Sequence, residues 1–171
     1  MKVLVLNGSP HADGNTVAMI GAFAKGAESN GHEVTVFDVA KKKIAGCMAC
    51  EYCHTTGGGE CIQKDDMQEL YPLLDAADVL VLASPIYYFG LSGQLQCAIH
   101  RFYSRGVLQN VSQIAMLVSS GSPGVYDGAI FEYKTIAGFM GLVDLGFVTA
   151  NGDENKSEAK LAECEALGKT I

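Results

Sequence analysis

Short apolar segments alternate along this chain with segments of helical spacing, and this alternation restricts the fold most. The apolar runs cover 3–6, 34–39, 79–83, 114–118 and 147–150, and the helical segments cover 16–30, 67–74, 91–103, 130–140 and 154–167. The runs at 3–6 and 79–83 are almost continuous Val and Leu, as in parallel strands that helices cover on both faces. The pattern predicts a doubly wound α/β fold with a five-stranded parallel sheet in the strand order 2-1-3-4-5.

Length and charge narrow the functional classes. At 171 residues and 49% hydrophobic composition, the chain suits one domain, which we expect to cover 1–171. No run of about 18 apolar residues occurs, and the N-terminus leads directly into a strand, so we expect a cytoplasmic protein with no membrane partner. The net charge of −7, with no basic run beyond 41–43, argues against a nucleic-acid partner.

The segment 7–16 joins the first strand to the first helix and is rich in hydrogen-bond donors. A turn of this kind presents unpaired main-chain N–H groups and the positive end of a helix dipole, which together favour a phosphate. Asn15 stands where a nucleotide-binding P-loop has lysine, and no G-x-G-x-x-G dinucleotide motif is present. An ordinary strand-to-helix turn capped by Asn or Thr is the alternative.

Two further loops are predicted at the same edge of the sheet. The loop 84–90 contains three consecutive aromatic residues, which suit a flat aromatic ligand, or alternatively a subunit interface. The loop 119–124 contains Ser120 and Gly121, which offer a donor and a close main-chain approach to the same ligand. Because ligands of such sheets bind where these loops converge, we expect one site there.

The first loop resembles that of the NADPH-dependent FMN reductases and related flavodoxin-like oxidoreductases, which carry G-S-P-x-x-x-G-N-T at this place. The match consists of Gly8-Ser9-Pro10 and Gly14-Asn15-Thr16, whereas His11 stands where relatives often have Arg. The resemblance implies a flavodoxin-like fold, bound FMN, NAD(P)H as donor and a flavin or quinone as the small acceptor. It implies phosphate contacts from Ser9, His11, Asn15 and Thr16, and isoalloxazine contacts from Pro85, Ile86, Tyr87, Tyr88, Phe89 and Gly90. No catalytic side chain is predicted, since the flavin itself does the chemistry.

Four cysteines form the most distinctive spacing, Cys47-x2-Cys50-x2-Cys53-x7-Cys61. This motif resembles that of the iron-sulfur flavoproteins, which implies a [4Fe-4S] cluster on these residues and a ferredoxin-like protein partner. Related loops also occur in proteins without a cluster, and we expect free or redox-active thiols, with the cluster and a zinc ion as alternatives.

A scaffold that has lost its flavin is a third functional hypothesis. We expect a homodimer or homotetramer, because exposed aromatic residues at 87–89 are costly to leave in water.

Overall fold

The computed structural model describes all 171 residues, Met1–Ile171. Its strands are β1 (Lys2–Asn7), β2 (Glu33–Phe37), β3 (Val79–Tyr87), β4 (Gly90–Leu91), β5 (Gln113–Ser120) and β6 (Val143–Asn151). Its helices are α1 (Asn15–Ser29), α2 (Met67–Ala76), α3 (Gly93–His100), α4 (Asp127–Met140) and α5 (Glu158–Gly168). Short 3-10 turns cover Val39–Lys41, Tyr52–His54, Arg101–Ser104 and Gly152–Lys156.

The sheet confirms the predicted topology. Its parallel strands lie in the order β2-β1-β3-β5-β6, and the two-residue strand β4 pairs antiparallel with the end of β3. With β4 set aside, the five main strands follow the order 2-1-3-4-5 of a flavodoxin-like fold. One hydrophobic cluster packs α2, α3 and α4 on one face of the sheet, and a second packs α1 and α5 on the other.

Several element boundaries differ from the sequence prediction. β2 ends at Phe37, and Val39 is buried in a 3-10 turn instead of a strand, so its apolar side chain reflects core packing alone. α3 begins only at Gly93, because the Ser92 side chain accepts a hydrogen bond from the Leu95 N–H and caps the helix. α5 begins at Glu158 for the same reason, since Ser157 caps it.

The largest correction concerns 84–90, which was predicted as a loop. β3 continues through Pro85, Ile86 and Tyr87, and a two-residue turn at Tyr88 and Phe89 connects it to β4. Pro85 is accommodated in the strand, where the parallel register places it opposite Ser119. None of the helices combines the length and the hydropathy that crossing a bilayer requires.

Candidate active site at the sheet edge and the cysteine cavity

The three predicted ligand loops do meet at the carboxyl edge of the sheet. The register places Asn7 of β1 opposite Ala83 of β3, and Pro85 of β3 opposite Ser119 of β5. A hydrogen bond of 2.8 Å between the hydroxyls of Thr16 and Ser119 joins the first loop to the third. These contacts make the loops one surface, as the parallel topology requires.

The first loop has the features of a phosphate cradle. α1 follows it with Gly14 at the N-cap position, and no side chain caps the helix there. The first-turn N–H groups of α1 therefore remain as donors for an anion, where the helix dipole is also favourable. Of the predicted contacts, Ser9 and Thr16 are buried beneath the loop, whereas His11 and Asn15 are exposed at its surface.

A chain of hydrogen bonds holds this loop in place. Asp38, just after β2, accepts a bond of 2.9 Å from the Asn7 side-chain amide, and the Asn7 side-chain oxygen accepts one of 3.0 Å from the Ser9 N–H. The Ser9 hydroxyl in turn accepts one of 3.3 Å from the His11 N–H. The Lys41 ammonium, 2.6 Å from Asp38, outweighs partial burial and lowers the pKa of that carboxyl. The carboxylate that orients the loop is thus charged at neutral pH.

Sequence reasoning placed Asn7 and Ser119 in the ligand loops without giving them a role, and it missed Asp38 and Lys156. The Lys156 ammonium, from the 3-10 turn before α5, donates to the Asp13 carbonyl oxygen at 2.8 Å and so stands beside the first loop. An acidic residue directly after the second strand was a usable signal for Asp38, because that strand neighbours the first. No sequence signal connected Lys156 to the loop, since 143 positions separate it from Asp13.

Gly8 is required by packing. A Cβ at this position would lie 2.6 Å from the Ser92 hydroxyl oxygen and 2.9 Å from the Leu95 Cβ. The first loop therefore lies directly against the start of α3, and a side chain at residue 8 would push the two apart.

The aromatic turn is strained and exposed. Tyr88 and Phe89 both have positive φ, 51° and 70°, which suits Asn or Gly and is uncommon for aromatic residues. Tyr88 is 98% exposed, and Tyr87 and Phe89 are partly exposed. Strain of this kind occurs at functional sites, and here it presents two aromatic side chains beside the ligand edge.

In the third loop, 119–124, the main chain is more accessible to a ligand than the Ser120 side chain is. The Ser120 hydroxyl lies 2.7 Å from the Ser122 carbonyl oxygen and 2.6 Å from the Tyr126 hydroxyl, so it stabilises the loop itself. Around Gly121 no atom would contact an added Cβ, which leaves its main chain open to a flat ligand.

All four motif cysteines line a single cavity beside the 3-10 turn Arg101–Ser104. Cys47 and Cys50 are exposed, Cys53 is half-buried and Cys61 is buried. Burial raises the pKa of the Cys53 thiol, and the neighbouring Cys61 and Cys47 raise it further. The cavity is narrow, with an interior volume of about 10 Å³, so a bound group would have to displace exposed side chains such as Met48.

The spacing of these thiols bears on which metal they suit. No group of three or more His, Cys, Asp or Glu side chains is placed to hold a single metal ion. A tetrahedral zinc site needs its ligands about 2.3 Å from one ion, and this geometry does not support one. A cubane cluster is wider than a single ion and takes four thiolates around its own volume, so the four cysteines that line this cavity match it in ligand type and number, and its narrow interior would have to widen to admit it.

Comparison with known proteins decides the family. The model of the NADPH-dependent FMN reductase family matches residues 1–154. The chain belongs to this family. The family membership confirms the predicted class, a flavin-dependent NAD(P)H oxidoreductase, and the family is one that binds FMN.

Relatives of this chain include proteins named iron-sulfur flavoproteins. One from Archaeoglobus fulgidus is 32% identical over 165 residues, which cover 89% of this chain and 69% of the relative. One from Methanocaldococcus jannaschii is 39% identical over 101 residues, which cover 59% of this chain and 50% of the relative. The chain thus aligns with about half the length of the second protein.

Solved structures confirm the flavodoxin-like fold. An NAD(P)H:quinone oxidoreductase from Methanothermobacter marburgensis superposes with a TM-score of 0.76 at 16% identity, covering 99% of this chain and 95% of the other. An azoreductase from Bacillus anthracis superposes with a TM-score of 0.77 at 17% identity and covers both chains completely. At such identities the likeness concerns the fold alone.

Proposed function

We propose that this protein is an FMN-dependent oxidoreductase that also carries a [4Fe-4S] cluster on Cys47, Cys50, Cys53 and Cys61. The observation that carries the proposal is that the four cysteines of the motif line one cavity. The names of the archaeal relatives support it, since both are iron-sulfur flavoproteins. This function replaces free thiols, which the sequence alone favours, as our leading hypothesis.

In this proposal the sheet edge holds the flavin. The first-turn N–H groups of α1, together with Ser9, Asn15 and Thr16, bind the phosphate, and Asp38 fixes the loop through Asn7. The aromatic turn and the main chain at Gly121 lie along the isoalloxazine ring. FMN supplies hydride acceptance at N5 and the return of electrons singly or in pairs. The protein's own residues bind the group, orient it and exclude water from its inner face.

The cysteine cavity serves single-electron exchange. Cys47 and Cys50 are exposed, so a cluster on this segment would lie near the protein surface. A surface position suits exchange with a small ferredoxin-like protein, which we propose as the partner of this site.

The flavin site supports a second candidate function, reduction of a free flavin or a quinone by NAD(P)H, because the exposed Tyr88 and Phe89 could stack on flat substrates.

Iron and sulfide analysis of protein purified without oxygen tests the cluster. We expect flavin absorption bands, a broad sulfur-to-iron shoulder and about four irons per chain. Cys50→Ser should lose the iron and keep the flavin, because no residue of the cysteine cavity belongs to the FMN loops. Cys97→Ser is the matched control: it removes a half-buried thiol that does not line the cavity, and it should keep both groups.

The outcomes separate the two functions. Flavin without iron in the anaerobic protein, even after reconstitution with ferrous iron and sulfide, contradicts the cluster and leaves the NAD(P)H-driven reductase. Absence of flavin after incubation with FMN contradicts both functions and favours the flavin-free scaffold.

A further inference from the structure

Arg101 is a buried cation at the wall of the cysteine cavity. It follows α3 directly, and only 1% of the residue is exposed. It is the only basic residue among those that line the cavity, where Glu51 is the only acidic one. A buried charge is costly unless it is paired and hydrogen-bonded, so the partners of this guanidinium are informative.

The guanidinium joins the two ends of the cysteine segment. Its Nη1 donates to the Ala45 carbonyl oxygen at 3.0 Å and to Asp65 at 2.7 Å, and its Nη2 donates to the Gln63 carbonyl oxygen at 3.3 Å. Ala45 lies two residues before Cys47, and Gln63 lies two residues after Cys61. Asp65 completes the closure by accepting the Ala45 N–H at 3.0 Å. One side chain thus holds both ends of the segment that carries all four thiols.

One hydrogen-bond donor of the Arg101 guanidinium has no acceptor. Its Nε is buried and has no hydrogen-bond partner. Buried N–H groups are almost always paired, and an unpaired one calls for an explanation. Arg101 lines the cavity, so a sulfur acceptor bound there within reach of Nε would pair this donor.

We propose that Arg101 is a positioning residue that closes the cysteine segment, and that its charge raises the reduction potential of the cluster. The inference rests on the proposed function, because it requires a cluster in the cavity. Reduction by one electron adds one negative charge to the cluster, and a nearby cation stabilises that reduced form. Removal of the cation should therefore lower the potential, and removal of the Asp65 charge should raise it.

The test compares cluster potentials in three variants of the full-length protein, reconstituted anaerobically with ferrous iron and sulfide. Low-temperature electron paramagnetic resonance follows the reduced cluster during a redox titration and separates its signal from that of a flavin radical. For Arg101→Met we expect a tenfold shift toward the oxidised form, which is about 59 mV for a one-electron couple. For Asp65→Asn we expect a shift in the opposite direction.

Arg105→Met is the matched control. Arg105 pairs with Asp75 and also touches the cysteine segment, through the Gly59 carbonyl oxygen at 2.9 Å, but it does not line the cavity. Its loss should leave the potential unchanged, so a lost contact with the segment is distinguished from a lost charge at the cavity.

Each result decides the inference. An unchanged potential in Arg101→Met and Asp65→Asn overturns it and leaves the proposed function standing. If Arg101→Met assembles no cluster, the upward shift in Asp65→Asn supports the inference and its absence overturns it. A wild-type protein that takes up no iron overturns both the proposed function and the inference.

Discussion

Lys156 supplies a positive charge that the first loop itself lacks. Between Asn7 and Thr16 the chain has no Lys or Arg, and at residue 11 it has His where relatives often have Arg. The Lys156 ammonium contacts the Asp13 carbonyl oxygen of this loop from the opposite end of the sequence. A phosphate bound at the start of α1 would therefore meet both main-chain donors and a cation.

We expect Lys156→Met to weaken FMN binding about tenfold, or about 1.4 kcal/mol, because one phosphate-compensating charge is lost. Riboflavin, which has no phosphate, should bind with almost unchanged affinity. Flavin fluorescence titrations measure both constants. Lys160→Met is the control, since Lys160 pairs with Glu163 on α5 at 3.0 Å. Equal losses for FMN and riboflavin would contradict a role at the phosphate.

In the aromatic turn, the residue types do not suit the backbone conformation that they adopt. Tyr88 and Phe89 occupy the two central positions of a β-hairpin turn, where positive φ values favour Asn and Gly. Each aromatic residue in this conformation costs of order 1 kcal/mol or more. The turn therefore lowers the free energy of unfolding relative to an Asn-Gly turn, and it keeps two aromatic rings exposed at the surface.

Replacing both residues, Tyr88→Asn with Phe89→Gly, should raise the free energy of unfolding of the flavin-free protein by about 1–3 kcal/mol. Urea denaturation measures this change. Turnover with a flavin or quinone acceptor should fall, because the stacking surface is lost. Tyr87→Asn lies in β3, outside the strained positions, and should give no such stabilisation. A double variant that is less stable than the wild type would show that the rings are held by packing.

At the scale of elements, α1 and α5 approach unusually closely. An added Cβ at Gly26 of α1 would lie 2.1 Å from the Glu165 carbonyl oxygen, and one at Gly168 of α5 would lie 2.1 Å from the Phe23 carbonyl oxygen. Main-chain atoms cannot give way as a flexible side chain can. The two glycines thus set the distance between the helices that cover one face of the sheet.

We expect Gly26→Ala to destabilise the protein by about 1–3 kcal/mol, because the helices must separate to admit the methyl group. Gly21→Ala is the matched control in the same helix: nothing lies within 4 Å of the added Cβ. That control should stabilise by up to about 1 kcal/mol through helix propensity. Thermal or urea unfolding measures both, and equal effects would contradict close packing as the cause.

At the scale of the whole molecule, the exposed aromatic residues bear on assembly. Besides Tyr88, the α4 residues Phe131 and Phe139 are each 74% exposed. Aromatic surface of this kind is uncommon on a monomer in water and is typical of a subunit contact.

We therefore expect the protein to form a homodimer or homotetramer, and light scattering coupled to gel filtration measures its mass against the 18.1 kDa of one chain. Phe131→Ser should reduce the assembled fraction if α4 takes part. Gly21→Ala, which alters α1, should leave it unchanged. A monomeric wild-type protein at micromolar concentration would contradict the prediction.

Much of the architecture follows from local patterns. Continuous Val and Leu runs predict buried parallel strands, and right-handed crossovers then leave few strand orders. The same logic brings the loops after β1, β3 and β5 to one edge, so the convergence of the candidate ligand loops was predictable. The cysteine spacing offered a shared cluster site as an alternative to free or redox-active thiols, because three of its members lie within seven residues.

Tertiary structure alone decided how these sites are completed. Lys156 reaches the first loop across 143 positions, and Arg101 reaches the cysteine segment from the end of α3 across 56. Asp38 and Ser119 likewise act through contacts between separate elements. The sequence by itself determined the type and order of the five main strands and five helices, since hydrophobic periodicity is a local property, but it did not determine that β3 extends through Tyr87. Only the folded chain decided which distant charges and hydroxyls meet the loops, since such contacts depend on how the helices pack against the sheet.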